Sequence, residues 1–189
     1  MPNWCNNYAH ITCPSKDIYI NLNTAITNNT WFETFAPLSI TDETNEMGWD
    51  LSTAVNTWST KWPPSNIEII NTDDENYIIE LSFDTAWYPP LGVYKIMNKK
   101  FDIDIHAYYE EWGCAFFGRL CLSKEEEIDD MFDMPTNSEE LNKIREIIGC
   151  ELDDYMLSCW TQLKEQWEEE DAEEESNEEE SNEEEIVIT

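Results

Sequence analysis

Only ten basic residues occur in this chain of 189, so the surroundings of each are informative. Lys61 sits in Trp58-Ser59-Thr60-Lys61-Trp62, and a second aromatic run, Trp87-Tyr88-Pro89-Pro90, follows downstream. A third segment places Tyr109 and Glu111 just ahead of Trp112. If strand ends and loops bring these segments together, Trp58, Lys61, Trp62, Trp87, Tyr109 and Glu111 form an aromatic corner with one cation and one carboxylate. Such a corner suits a flat ligand held between rings and steered by a charge. The plainer reading is a packed corner, in which Glu111 neutralises Lys61 and the indole stems fill the core. A second candidate surface is the N-terminal motif Asn3, Trp4, Asn6 and Asn7, whose amides can either meet a ligand or cap the first strand through local hydrogen bonds. Capping is the plainer role.

The thiols and imidazoles carry less. Cys5, His10 and Cys13, joined by His106, are the nearest approach to a metal set. Their spacings match no zinc module and no Cys-x-x-Cys pair is present, so buried free thiols are the expectation. Cys114 and Cys121, seven apart, face opposite sides of a straight strand. His10 or His106 beside Glu110 or Glu111 is the one acid–base pairing available. No nucleophile elbow, phosphate loop or zinc-hydrolase helix accompanies it, so no catalytic residue, cofactor or metal is assigned.

The elements that must position these residues follow from periodicity. Asn7–Cys13 alternates as a strand. Pro14-Ser15 opens a helix with Ser15 as N-cap, continued by Ile18, Leu22, Ala25 and Ile26. Residues 31–65 form an irregular insertion containing a short helix over Leu51–Trp58, closed by Pro63-Pro64. Ile67–Ile70 and Tyr77–Phe83 are strands of a hairpin that turns at Asp73-Asp74-Glu75-Asn76. Pro90 enters a helix carrying Val93, Tyr94, Met97 and Phe101. Strands at 103–108 and 114–122 follow, joined by a turn at Trp112-Gly113. The order β-α-insertion-β-β-α-β-β is α+β, a ferredoxin-like split β-α-β sandwich with an added strand. The domain spans residues 1–122. Residues 123–167 hold an acidic connector (Lys124–Asp133) and C-terminal helices, the first with Thr136 and Glu139 as a capping box and a stop at Gly149. The second is traced by Leu152, Tyr155, Met156, Cys159, Leu163 and Trp167.

Four segments resemble a known family. Met1-Pro2-Asn3-Trp4-Cys5-Asn6-Asn7 before a strand resembles the opening of the YubB-like family, ferredoxin-like proteins of phages and plasmids. Trp58-Ser59-Thr60-Lys61-Trp62 resembles its Trp-Gly-Thr-Lys-Trp, with Ser59 in place of glycine. Thr85-Ala86-Trp87-Tyr88-Pro89-Pro90 resembles its Thr-Ala-Trp-x-Pro-Pro. Tyr109, Glu111, Gly113, Phe116 and Gly118 follow its Tyr-x-Glu-x-Gly-x-x-Phe-x-Gly. The resemblance spans residues 1–122 and implies a ferredoxin-like fold and carriage on a mobile genetic element. It brings no activity with it.

Charge sets the class of partner. The net charge is −32, and the 13 acidic residues of Glu168–Glu185 leave −19 for residues 1–167. Such a body repels nucleic-acid backbones and anionic membranes, and it attracts basic proteins or cations. The aromatic sheet of an RNA-recognition module needs a basic surround that is missing here. The tail, residues 168–189, repeats Glu-Glu-Glu-Ser-Asn and self-repels, so it is expected to be disordered. It either raises solubility or competes for a basic groove as a nucleic-acid mimic. Its end, acidic residues beside Ile186-Val187-Ile188, resembles a strand-adding SUMO-interacting motif. No export signal or membrane span is legible, so the expected location is the reducing cytoplasm of a host cell. The reading is a non-enzymatic accessory protein of a virus, phage or other mobile element that binds a basic host or defence protein. The alternatives are a small-molecule-binding or enzymatic module at the aromatic corner, and a virion-associated protein.

Overall fold

The computed structural model describes residues 3–39, 50–148, 165 and 167. The chain divides into two units, Met1–Met134 and Pro135–Thr189.

In the first unit the alternation read from the sequence becomes one six-stranded antiparallel sheet. The strands are β1 (Trp4–Thr12), β2 (Ser65–Asp73), β3 (Ile78–Ala86), β4 (Asp104–Glu111), β5 (Phe116–Leu122) and β6 (Glu127–Asp133), in the order β2-β3-β1-β4-β5-β6. The helices are α1 (Lys16–Thr27), α2 (Trp31–Phe35), α3 (Leu51–Trp58) and α4 (Leu91–Phe101). Strand β1 lies between β3 and β4, pairing antiparallel with both. That is the ferredoxin-like arrangement, in which each β-α-β crossover leaves a gap filled by a strand of the other.

One face of the sheet is apolar. Cys5, Ala9 and Ile11 of β1, Ile79, Leu81 and Phe83 of β3, and Ile105 and Ala107 of β4 pack with Leu22 and Ile26 of α1 and Val93, Tyr94 and Met97 of α4. Each helix start has its own cause. Ser15 caps α1 by accepting from the Ile18 N–H. Asp50 caps α3, its Oδ1 accepting from the Thr53 N–H at 2.7 Å, which satisfies an orphan donor of the first turn.

The insertion adds an aromatic layer to this core. Trp31, Phe32, Phe35 and Trp58 are fully buried. Phe32 packs on Trp58 at 5.5 Å and Trp31 meets Phe83 edge-on at 5.3 Å. The Trp58 indole N–H donates to the Ala36 carbonyl at 2.7 Å, so its polar tip is satisfied inside the core. Close approach of α3 to α4 requires Gly92, since a Cβ there would fall 2.2 Å from the Thr57 carbonyl oxygen.

Two readings are corrected. Residues 127–133, taken above as part of an acidic connector, form strand β6, paired with β5 from Phe116↔Asp133 to Leu122↔Glu127. Alternation is present there in Ile128, Asp130 and Phe132, which are half-buried between exposed neighbours. An aspartate in the middle of that row conceals it, and the structure neutralises Asp130 with Arg119 at 3.0 Å. Cys114 is not on a strand: it lies in the exposed turn before β5, so the argument about opposite strand faces does not apply to it.

The second unit is described by α5 (Ser138–Ile148). The capping residues lie one position later than expected. Asn137 Oδ1 accepts from the Glu140 N–H at 2.9 Å, and the Glu140 carboxylate reaches back to the N–H and hydroxyl of Thr136. Glu139 instead pairs with Lys143 one turn on. The stop at Gly149, the helical stripe from Leu152, Cys150, Cys159 and the 168–189 tail lie outside the described residues, apart from Trp167. No helix among the described residues is long and apolar enough to cross a membrane.

Trp58→Ala removes a buried ring and its hydrogen bond from the aromatic layer. A loss of about 3–5 kcal/mol is expected, read by urea unfolding in far-UV circular dichroism, against less than about 1 kcal/mol for Trp87→Ala at the surface.

Candidate functional site

The end of the sheet where β1 and β2 begin and β3 and β4 finish gathers most of the candidate residues. Its geometry starts from the backbone. The β1–β3 ladder runs out at Trp4↔Ala86, and one further bond, Trp87 N–H to Asn3 carbonyl at 2.9 Å, closes it. Trp87 takes φ of +74° there, a region that a bulky side chain occupies at a cost of about 1–3 kcal/mol. Next to it, Thr60 is buried and its hydroxyl donates to the Ala86 carbonyl at 2.8 Å. That bond holds residue 60 beside β3, and the two side chains that follow, Lys61 and Trp62, leave the backbone next to Trp87.

The result is a cation held by two indoles. Lys61 Nζ lies 4.4 Å from the Trp62 ring centre and 4.5 Å from that of Trp87. Trp4 packs on Trp62 at 6.3 Å, tilted by 49°. Trp87 is 44% exposed and Trp4 41%, so the assembly faces solvent. Each such cation–ring contact is worth about 0.5–1 kcal/mol at an exposed site. Among the described residues no carboxylate pairs with Lys61, whereas Lys95, Arg119 and Lys124 are tied to Asp129, Asp130 and Asp102.

Three of the six corner residues are elsewhere. Trp58, 1% exposed, belongs to the core. Glu111, also 1% exposed, does not neutralise Lys61; its carboxylate accepts from the Gly113 and Cys114 N–H groups and shapes the β4–β5 turn. Tyr109 is buried, and its hydroxyl donates to the Asp130 carbonyl at 3.3 Å. Burial pushes its phenol well above the ordinary range. Opposite Tyr109 stands Gly118, where a Cβ would strike the Tyr109 ring and the Asp130 carbonyl. The Tyr-x-Glu-x-Gly-x-x-Phe-x-Gly spacing is thereby accounted for as architecture: one residue caps the turn, and another makes room for the bond that secures β6.

The asparagines divide likewise. Asn7 is buried and donates to the Cys5 carbonyl, the Phe83 carbonyl and Thr85 Oγ1. Asn6 donates to Asp84 Oδ1 at 2.9 Å, and Asn66 donates to the other oxygen of the same carboxylate at 2.6 Å. Asn3 supplies the carbonyl for Trp87, and its amide reaches Cys114 Sγ at 3.5 Å. Trp4 joins the indole cluster. Neither Tyr88 nor Asn66 was singled out as a site residue. The signal for Tyr88 lay in the Trp-Tyr-Pro-Pro run, and its ring packs on Phe116 at 5.5 Å.

On the sheet face opposite the helices, His10 and His106 are cross-strand partners, with rings 6.3 Å apart and edge-on. His10 meets Glu80 at 3.2 Å, and His106 approaches Cys121 Sγ at 3.7 Å. The pairing with Glu110 or Glu111 considered above does not form. Burial, and then the carboxylate of Glu126, raise the Cys121 thiol, which opposes a thiolate nucleophile. Burial pushes Cys13 up to about 12. Among the described residues no group of three His, Cys, Asp or Glu side chains is arranged to hold a metal ion.

The antiparallel sheet with two crossover helices defines a ferredoxin-like α+β domain. Residues 58–151 match the family described as the ferredoxin-like domain in Api92-like protein. Among solved structures, the protein api92 from Yersinia pseudotuberculosis is similar with a TM-score of 0.48 and 10% identity, over 71% of this chain and 99% of that one. No curated protein matches.

Glu110, beside this site on β4, gives a pH test. Its Oε2 is buried without a hydrogen-bond partner among the described residues. Burial raises its carboxyl, partly offset by the Trp112 side chain. A raised acid contributes stability that is complete below the unfolded value of about 4.3 and is lost as pH rises through the folded value. Glu110→Gln is therefore expected to raise the thermal midpoint at pH 7, with the gain vanishing near pH 4, as read by calorimetry across that range.

Proposed function

We propose that the protein is a non-enzymatic accessory factor of a virus, phage or other mobile element that binds a basic host or defence protein in the cytoplasm through its acidic surface. The four-segment likeness to YubB-like proteins supports the mobile-element setting. The observation that carries the binding role is the distribution of charge on the folded unit. Residues 1–134 hold 22 acidic and seven basic side chains, and three of those seven are already consumed in ion pairs. Along β6 and the turn before it, Glu125, Glu126, Glu127, Asp129 and Asp133 are all exposed. Alternate strand residues stand about 6.6 Å apart, so Glu127 and Asp133 present negative charge along one row of β6, with Asp129 between them tied to Lys95. The same charges disfavour pairing of that edge with other sheets, and among the described residues no further strand covers it, which suits it as a recognition surface. Nucleic-acid mimicry is the sharpest form of the reading: an anionic track offered to a groove built for phosphates.

A basic protein captured from nuclease-treated host extract is expected to lose affinity steeply as salt rises, because exposed charges are screened beyond about 8–10 Å at physiological ionic strength. Glu125→Gln with Glu127→Gln and Asp133→Asn should weaken the complex at least about tenfold while leaving the circular dichroism unchanged. A complex insensitive to both salt and these substitutions would sink the proposal.

A further inference from the structure

We infer that the Trp62–Trp87 pair is a binding site for an organic cation, a guanidinium or quaternary ammonium group, and that Lys61 is the plug that fills it until such a group displaces it. The ammonium stands 4.4 and 4.5 Å from two ring centres, the position a bound cation takes between aromatic faces. Lys61 arrives there because Thr60 is fastened to Ala86 on one side and Trp87 to Asn3 on the other. The backbone is thus fastened at Trp87 and two residues before Trp62, while a lysine side chain has many rotamers open to it. Trp4 backs Trp62 and adds a third indole to the wall.

Two further observations point to a ligand. The chain keeps Trp87 in the left-handed region with nearly half its surface exposed, an arrangement that is costly for both backbone and ring. Strain of this kind, held in place by surrounding bonds, concentrates at sites of recognition. The surrounding charge then selects the ligand's sign. With acids outnumbering bases threefold in residues 1–134, the field concentrates cations and repels a phosphate or carboxylate that would use Lys61 as its hook. A primary ammonium is strongly hydrated, whereas a guanidinium is weakly hydrated and stacks on indole. Exchanging Lys61 for an arginine or a methylated amine therefore returns the better-hydrated group to water.

The site shares with the function proposed above only the sign of the partner's charge, and its test needs no partner protein. The full-length protein is titrated with tetramethylammonium chloride and with N-acetyl-arginine amide, with sodium chloride as the control for ionic strength. The indole N–H resonances of the tryptophans are followed by NMR. Lys61→Ala, which empties the site, is expected to bind both cations about tenfold more tightly than the unaltered protein, with the shifts confined to Trp4, Trp62 and Trp87. Trp87→Leu and Trp62→Leu should abolish them. Equal binding by the unaltered protein and Lys61→Ala, or shifts that survive Trp87→Leu, would overturn the inference. So would tight binding of adenosine monophosphate that depends on Lys61, since Lys61 would then be a hook for anions. Circular dichroism on each variant confirms that the fold is retained; if either leucine variant fails to fold, the comparison with Lys61→Ala decides alone.

Discussion

The pairing of β1 along both of its edges is the constraint on which the rest of this structure depends. A strand flanked by β3 and β4 can expose neither edge, so its side chains must satisfy two faces at once. Cys5, Asn7, Ala9 and Ile11 all point into the helix-covered core. Asn7 is tolerated there only because its amide donates to three acceptors, since an unsatisfied buried amide would cost about 1–3 kcal/mol. The alternate residues, Trp4, Asn6 and His10, are forced onto the other face by the period of two. Register then determines their neighbours: Asn6 meets Asp84, and His10 meets His106. A slip of one residue would bury Trp4 and His10 and expose Ile11.

The same strand explains why strain collects at one end. Where β1 begins, the ladder passes from Trp4↔Ala86 to the single Trp87–Asn3 bond, and the chain must leave the sheet there for Pro89 and α4. Two residues near this exit, Ser59 and Trp87, have positive φ. Ser59 stands where the resembling pattern has glycine, and the conformation is one that glycine reaches freely. Serine offers compensation of its own, since its Oγ accepts from the Gly92 N–H at 3.1 Å and so ties the end of α3 to the start of α4. The contact that lets these helices meet thus depends on Gly92 having no side chain and on Ser59 having one.

How much of this was legible in the sequence depended on whether a signal was local. The split β-α-β order, the Ser15 cap, the Leu51–Trp58 helix and the Asp73–Asn76 turn all rest on short-range spacing and capping chemistry, and those elements stand at the expected places. Asp73 even reads as the turn residue it is, accepting from the N–H groups of Glu75 and Asn76. β6 was hidden because its half-buried row contains Asp130, and only the partner strand supplies the Arg119 that makes an aspartate acceptable there. The aromatic corner was half legible for the same reason. Residue type marked Lys61, Trp62 and Trp87, but whether a tryptophan is core or surface depends on tertiary packing. Trp58 and Trp62, four apart, parted company because α3 ends between them.

Charge and aromaticity at this surface are coupled. Exposed indole faces in a strongly acidic protein would attract whatever cation is abundant, and a site open to every cation discriminates nothing. A lysine tethered beside the rings competes at an effective concentration on the order of millimolar, enough to exclude weak and dilute competitors. Displacement then requires either a group better suited to indole than a hydrated ammonium or a partner that makes other contacts at the same time. Under the function proposed above, the acidic surface would supply those other contacts, since a basic partner gathered by the general field would bring its side chains to the rings at high local concentration. On this view, the lack of a carboxylate partner for Lys61 among the described residues, where Lys95, Arg119 and Lys124 each have one, keeps the plug exchangeable. An ion pair would have fixed it in place.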